Sequence, residues 1–242
     1  MTLEKKKNKN IIIISLTKYF EKLIFKFSNF ATVVSKVDQK RIKQLYNLKS
    51  YILENGININ RLKKRKPKFK LPKKYYMFIG SYWFTPNKEA IDLLIEKIYP
   101  KIKKKFPKYK LIITGEGFPT KKEKKNEIIY FKNVSKKSLN YMISKCGFLL
   151  FPLKKATGTK LKVIECLALG KTIITNKNGV NGIDLISKDQ PILYKNINEI
   201  NNYIKNIEQK KLKNTLSKTS NYYKKKYDMS LIFNKFVKNI KI

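Results

Sequence analysis

The residue types best suited to hold an anion gather in one stretch, Ala156-Thr157-Gly158-Thr159-Lys160-Leu161-Lys162-Val163-Ile164-Glu165-Cys166-Leu167-Ala168-Leu169-Gly170. A helix starting here leaves backbone N–H groups unpaired at the positive end of its dipole. Gly158 lets an anion approach the chain and Lys160 adds a full charge, so a phosphate would be held well. Glu165 lies seven residues beyond Gly158, close to two helical turns, which puts both on one face roughly 10 Å apart at 1.5 Å rise per residue. A nucleotide laid along that face would set its diphosphate on the N-terminus and its ribose hydroxyls on the carboxylate. The same residues also fit a plain capped amphipathic helix in which Lys162 and Glu165 make a surface i,i+3 contact. Spacing alone leaves both readings open.

The flanking elements say how this stretch is positioned. An apolar run, Phe148-Leu149-Leu150-Phe151, ends at Pro152, and another, Thr172-Ile173-Ile174-Thr175, follows. The stretch therefore reads as the loop and helix between two strands, with Thr157 as N-cap and Gly170 as the C-terminal glycine. Similar runs occur at Tyr75 to Ile79, Leu111 to Thr114, Ile128 to Phe131 and Ile192 to Tyr194, with helical segments such as Asn87 to Lys105 and Ser135 to Lys145 between them. Short continuous apolar strands alternating with helices specify a parallel sheet covered on both faces. Residues 71–225 thus read as one doubly wound, Rossmann-like α/β domain. Ligands in such sheets bind beyond the carboxyl ends of the strands, where Gly80-Ser81, Gly115-Glu116-Gly117, Asn133-Val134 and Gly158 all fall.

Ahead of this domain the pattern is shorter. Ile11 to Phe27 suits an amphipathic helix that packs on a sheet, the favoured reading, or lies on a membrane surface. Phe30 to Ser35 reads as a strand, Asp38 to Leu45 as a helix and Tyr51 to Leu53 as a short strand before the Asn55-Gly56 turn. The basic, proline-containing segment 61–70 reads as an exposed linker, which gives expected domains of 1–60, 61–70 and 71–225, with 226–242 as a closing helix whose apolar face includes Leu231, Phe233 and Val237.

Composition narrows the chemistry. The net charge is +40, from 56 basic against 16 acidic residues in 242. Only three of the basic residues are arginine (Arg41, Arg61, Arg65), whereas specific nucleic-acid readers favour the arginine fork. Lysine, isoleucine and asparagine share A/T-rich codons, so the charge reads mainly as codon bias spread over solvated faces. The absence of histidine excludes Ser-His triads and imidazole acid–base chemistry. Cys146 and Cys166 sit in apolar surroundings without metal-ligand spacing, as buried free thiols of a reducing cytosol would.

With the loops placed, the chain resembles the C-terminal, donor-binding half of GT-B glycosyltransferases, in the large retaining group 1 family that includes sucrose synthases and many lipopolysaccharide and capsule enzymes. The matching stretches are Phe78-Ile79-Gly80-Ser81 through Pro86-Asn87, Leu111 to Gly117, Phe131-Lys132-Asn133-Val134, and Pro152-Leu153-Lys154 leading into Gly158 to Glu165 with Ala168 and Gly170. The similarity covers about residues 30 to 185. It implies that Glu165 grips the donor ribose, that Gly158, Thr159 and Lys160 hold the diphosphate, that Asn133 and Val134 line the base and that Gly80 and Ser81 face the phosphates. It implies no bound metal or cofactor beyond the nucleotide-diphosphate sugar itself, and it names no catalytic residue.

Two departures from the family pattern stand out. The second glutamate often found eight positions before the ribose one is Thr157 here, and the frequent Arg and Lys after the first strand are replaced by a loop carrying Tyr82 and Trp83. Lys160 or Lys162 must then supply more of the charge. Residues 1–60 look like a truncated remnant of the acceptor-side domain, so the chain would own one wall of the cleft.

The expectation is thus the donor half of a hexosyltransferase, cytoplasmic or peripheral at a membrane. Its donor is a nucleotide sugar, its protein partner a separate acceptor-half chain or a second copy, and its surface partner an anionic membrane. A non-catalytic nucleotide-sugar-binding or pairing subunit is the first alternative. A basic nucleic-acid- or membrane-binding protein is the second, with nucleic acid the disfavoured partner.

Overall fold

The computed structural model describes residues 3–119, 127–154, 158–186, 191–209 and 213–240. The chain divides into two units, Met1–Glu54 and Asn55–Ile242.

In the first unit, helix α1 (Leu3–Lys26) precedes a βαβ element made of β1 (Ala31–Val33), α2 (Lys36–Tyr46) and β2 (Ser50–Ile52). The two strands are parallel, with Ala31 opposite Ser50 and Val33 opposite Ile52. Ser35 caps α2 by accepting from the Asp38 N–H, and Asn47 closes it in the left-handed region at φ 51°. Helix α1 meets α2 through Phe25 and Tyr46, whose rings lie 5.1 Å apart, and through a Tyr46–Glu21 hydrogen bond. Its apolar side chains from Ile11 to Ile24 are not packed on the sheet as the periodicity predicts. Ile11, Ile12, Tyr19 and Ile24 are 55–64% exposed.

The second unit is built on a six-stranded sheet: β3 (Tyr75–Ile79), β4 (Lys110–Thr114), β5 (Ile129–Phe131), β6 (Leu149–Phe151), β7 (Ile173–Thr175) and β8 (Ile192–Leu193). Every pairing is parallel, in the order β5-β4-β3-β6-β7-β8. The order reverses between β3 and β6, which is the topological switch point of a doubly wound sheet. Burial explains the apolar runs: Tyr76, Met77, Phe78, Leu111, Ile112, Ile113 and Leu149 to Phe151 have no accessible surface, because helices cover both faces.

The covering helices are α3 (Thr85–Leu93), α4 (Tyr99–Lys105), α5 (Lys136–Lys145), α6 (Leu161–Ala168), α7 (Ile200–Glu208), α8 (Lys213–Lys226) and α9 (Met229–Asn239). Helices α3 and α4 are joined by a π turn, Leu94–Ile98, in which the Tyr99 N–H reaches back to Leu94 O. Pro100 follows and brings no N–H of its own, so the widened turn absorbs the missing bond. Helix α6 ends in a paired-carbonyl motif: Gly170 at φ 70° donates to Leu167 O (2.9 Å) and Lys171 to Cys166 O (3.1 Å). This is the glycine stop that the sequence predicts.

The segment 61–70, expected as an exposed linker, is exposed except at Leu62 and Pro67 and is also bonded to this unit. Leu62 is buried, Asn140 on α5 donates to the carbonyls of Arg61 (2.7 Å) and Lys63 (3.0 Å), and Arg65 N–H donates to Lys137 O (3.0 Å). Basic composition concealed a strap held by the Asn140 side-chain amide and one backbone bond. Downstream, Ser220 on α8 donates to Ala168 O (2.6 Å) at the end of α6, and Ile57 exchanges bonds with Tyr227 O and Met229 N–H. The closing helix expected over 226–242 is α9 (Met229–Asn239), on which Leu231, Phe233 and Val237 stay at least half exposed.

Candidate functional site

The loops at the carboxyl ends of β3 to β7 converge as the sequence reading requires. After β3, Gly80 donates to Thr114 O (2.8 Å), tying it to the end of β4. Gly115 sits at φ 146°, and a Cβ there would lie 2.3 Å from Gly80 O and 2.8 Å from Ser81 N, so only glycine permits this approach. A Cβ on Gly80 would likewise lie 2.7 Å from the Asn87 amide. Ser81 is partly buried and its carbonyl accepts from Asn87 Nδ2 (3.0 Å). Two glycines and one asparagine thereby fix the backbone around Gly80 and Ser81.

The loop after β4 is shaped by aromatic packing. The Trp83 indole lies against Gly117, where a Cβ would come within 2.5 Å of it, yet Trp83 is 76% exposed. Tyr82 and Phe118 meet edge-on, Phe118 packs on Tyr130, and the Tyr130 hydroxyl donates to Gly115 O. After β5, Asn133 adopts φ 54° and exposes its side chain, while Val134 packs partly on the core. Ser135 then caps α5 by accepting from the Ser138 N–H (3.2 Å).

Glu165 on α6 meets this loop through Lys136, whose ammonium lies 2.5 Å from Glu165 Oε2. Their side chains are 28% and 38% exposed respectively, which leaves the carboxylate accessible. The ion pair ties the end of the loop after β5 to Glu165 on α6. It also replaces the surface contact between Lys162 and Glu165 that spacing allows.

The helix start differs from expectation. Helix α6 begins at Leu161 with Lys160 as a cap residue that makes no side-chain capping bond, and Thr157 lies outside the described residues. Gly158 is therefore in the loop, at φ 66° with open space where a Cβ would point, and the shared-face spacing from Gly158 to Glu165 does not hold. The Val163 N–H closes on Lys160 O (2.9 Å), using one of the donors that a phosphate would have taken. What survives is an open glycine turn, with Thr159 against Gly182 of the loop after β7 and the Lys160 ammonium lowered in pKa by burial.

The residue that spacing treated as a surface lysine is the more consequential one. Lys162 Nζ donates to Ile79 O (3.0 Å) and Asn87 Oδ1 (2.7 Å), with the Phe78 and Phe151 ring centroids at 5.1 and 5.4 Å. Burial, and then repulsion from Lys160, pushes its pKa down to about 8. The signal available in the sequence was the apolar character of its helix neighbours. Cys146 and Cys166 are buried free thiols, and burial raises Cys146 to about 12 and Cys166 well above its ordinary value.

A family model described as glycosyl transferases group 1 matches residues 73–209. No curated protein matches the chain. Among solved structures, TarM superposes with a TM-score of 0.70 at 20% identity over 92% of this chain and 46% of its own. HepE of Anabaena, solved with UDP-glucose, gives 0.65 at 14% identity over 88% and 64% respectively. The GtfA/B complex gives 0.64 at 13% identity over 91% and 47%. At such identities the likeness is one of fold, that of GT-B enzymes, and the chain spans roughly half to two thirds of the length of these proteins.

Proposed function

Because the chain belongs to the group 1 glycosyl transferases, we propose that it is the donor-binding half of a sugar transferase that uses a nucleotide-diphosphate sugar. The observation that carries this reading is the convergence of Gly80, Gly115, Lys162 and the Lys136–Glu165 pair at the carboxyl edge of the sheet, around its switch point. A diphosphate would lie over the Gly80-Ser81 and Gly158-Thr159-Lys160 loops, where ammonium charge would stabilise the leaving group in place of a metal ion. Glu165 would accept from the ribose hydroxyls, and Asn133 and Val134 would border the base. The UDP-glucose complex of HepE supports a nucleotide sugar as the ligand class.

The acceptor wall is the part this chain carries least of. Its first unit holds one short βαβ element, and the GtfA/B pair supports a partner subunit as the source of the rest. Exposed apolar side chains on α1 and α9 fit such pairing with an acceptor-half chain or a second copy. The lysine-rich surface also suits an anionic membrane carrying lipid-linked acceptors, and no helix among the described residues is long and apolar enough to cross one. Screening nucleotide sugars for binding, then assaying transfer to supplied acceptors with the purified chain, tests the reading. Binding without turnover fits a donor half; failure to bind any nucleotide sugar refutes it.

A further inference from the structure

The switch point between β3 and β6 contains a half-buried cation with only neutral hydrogen-bond partners. Lys162 reaches it from the first turn of α6, and the groups facing its ammonium come from four directions: the Ile79 carbonyl and Phe78 ring of β3, the Phe151 ring of β6, the Asn87 amide oxygen of α3, and Lys160 and Cys166 on its own element. Two of its three N–H donors are used. Among the described residues no carboxylate lies within ion-pair distance; the carboxylate three residues along the helix, Glu165, is engaged by Lys136. An ammonium drawn partly out of water and held only by dipoles pays desolvation without the return of a counter-charge. Such an arrangement persists where function requires it.

The geometry points to Lys162, clamped by Asn87 and the Ile79 carbonyl, as the principal cation for the diphosphate of the bound ligand, with the ligand supplying the counter-charge that the protein omits. This deepens the donor-half reading and rests on it. Its physical logic follows from the loop after β3. That loop carries Tyr82 and Trp83 and no arginine, so positive charge comes to the same crevice from the opposite side, through α6. Asn87 is then a positioning residue: its Nδ2 is anchored on Ser81 O and its Oδ1 aims the ammonium, so one side chain couples the backbone of the phosphate-facing loop to the cation. Gly80 has no room for a Cβ because Asn87 occupies that space, so the clamp and the glycine are parts of one arrangement.

The same burial that lowers the Lys162 pKa to about 8 provides a readout besides affinity. An anionic diphosphate beside the ammonium raises that pKa, so binding at pH 8 takes up a proton. Calorimetric titration of the full chain with a nucleoside diphosphate, in buffers of different ionisation enthalpy at pH 8, measures that uptake directly. We expect a sizeable fraction of one proton taken up by the wild type and much less by Lys162→Met, where Lys160 alone remains to titrate, with the diphosphate weakened on the order of 10–100-fold in the variant and the corresponding nucleoside little changed. Asn87→Ala should lose part of the diphosphate affinity and move the pH at which uptake is greatest, which a merely structural asparagine would not do. Unchanged diphosphate affinity in a folded Lys162→Met overturns the assignment, as does wild-type binding without proton uptake, which needs no variant to fold. If the wild type binds the nucleoside diphosphate while these signatures are missing, only the role of Lys162 fails. If it binds none, the donor-half reading fails with it.

Discussion

Replacing Glu165 by glutamine separates a ribose ligand from a helix residue that merely pairs with its neighbour. The substitution keeps the shape and an acceptor oxygen but removes the charge that meets Lys136 at 2.5 Å. The two side chains are 28% and 38% exposed, so water screens the pair and its loss costs stability by no more than about 1 kcal/mol. A ribose hydroxyl donating to the carboxylate is a charge-assisted bond, and losing it costs roughly 1.5–3 kcal/mol of binding. At about 1.4 kcal/mol per decade that is on the order of a 10–100-fold loss in affinity. Lys136→Met serves as the comparison, since it breaks the same ion pair and leaves the carboxylate in place. Calorimetry of the three proteins with a ribonucleoside diphosphate and its 2′,3′-dideoxy analogue resolves the roles. Glu165→Gln should weaken the ribose ligand strongly and the dideoxy ligand hardly at all, whereas Lys136→Met should do neither. Equal losses of melting temperature in both variants with unchanged affinity would refute the ribose assignment.

Four further outcomes are expected. Gly115→Ala places a Cβ 2.3 Å from Gly80 O at φ 146°; backbone must move, which should cost about 1–3 kcal/mol in chemical denaturation and disturb the phosphate-facing loop. Lys162 has a folded pKa depressed to about 8 from 10.5, so the unfolded chain binds more protons between those values and stability rises with pH across that window, by up to about 3 kcal/mol at 1.36 kcal/mol per unit. Subtracting the Lys162→Met profile removes the general effect of titrating the other lysines, and a flat difference from pH 7 to 10 would contradict the burial of the ammonium. On vesicles, sedimentation with acidic and not neutral lipid is expected at low salt, each lysine near the surface adding about 1 kcal/mol; no sedimentation with either leaves codon bias as the account of the charge. Light scattering of the isolated chain should show association through its exposed apolar faces, and a monomer that glycosylates an added acceptor would contradict the need for a second wall.

The sheet was legible because both of its faces are buried. Runs such as Tyr75 to Ile79 and Leu111 to Thr114 have nowhere to place polar residues, so their strands stand out from the helices between them. The glycine stop of α6 was legible for a similar reason, since Gly170 alone satisfies the backbone there. The start of the same helix was not. The turn at Gly158 delays it to Leu161, and no local rule says where a glycine-rich loop hands over to a helix. Spacing left Lys162 open between a surface contact and a source of site charge, because helical spacing records faces and not the inward reach of a long side chain. The strap at Arg61 to Arg65 escaped notice because its own anchoring groups are backbone carbonyls and one N–H, met by the Asn140 side-chain amide and Lys137 O, which its basic side chains do not announce. Asn87 lay within a matched stretch, yet its role depends on contacts with Gly80, Ser81 and Lys162 that only the fold brings together.

The most direct test of the central claim uses the one tryptophan of the chain. Trp83 lies in the loop after β3, against Gly117 and largely exposed, beside the proposed phosphate loops. Titrating the purified protein with nucleotide sugars of each common base while following Trp83 fluorescence should give a saturable change for one base, reversed by the matching nucleoside diphosphate and not by the free sugar. No saturable change with any of them, in a protein whose circular dichroism shows it folded, would contradict the donor site.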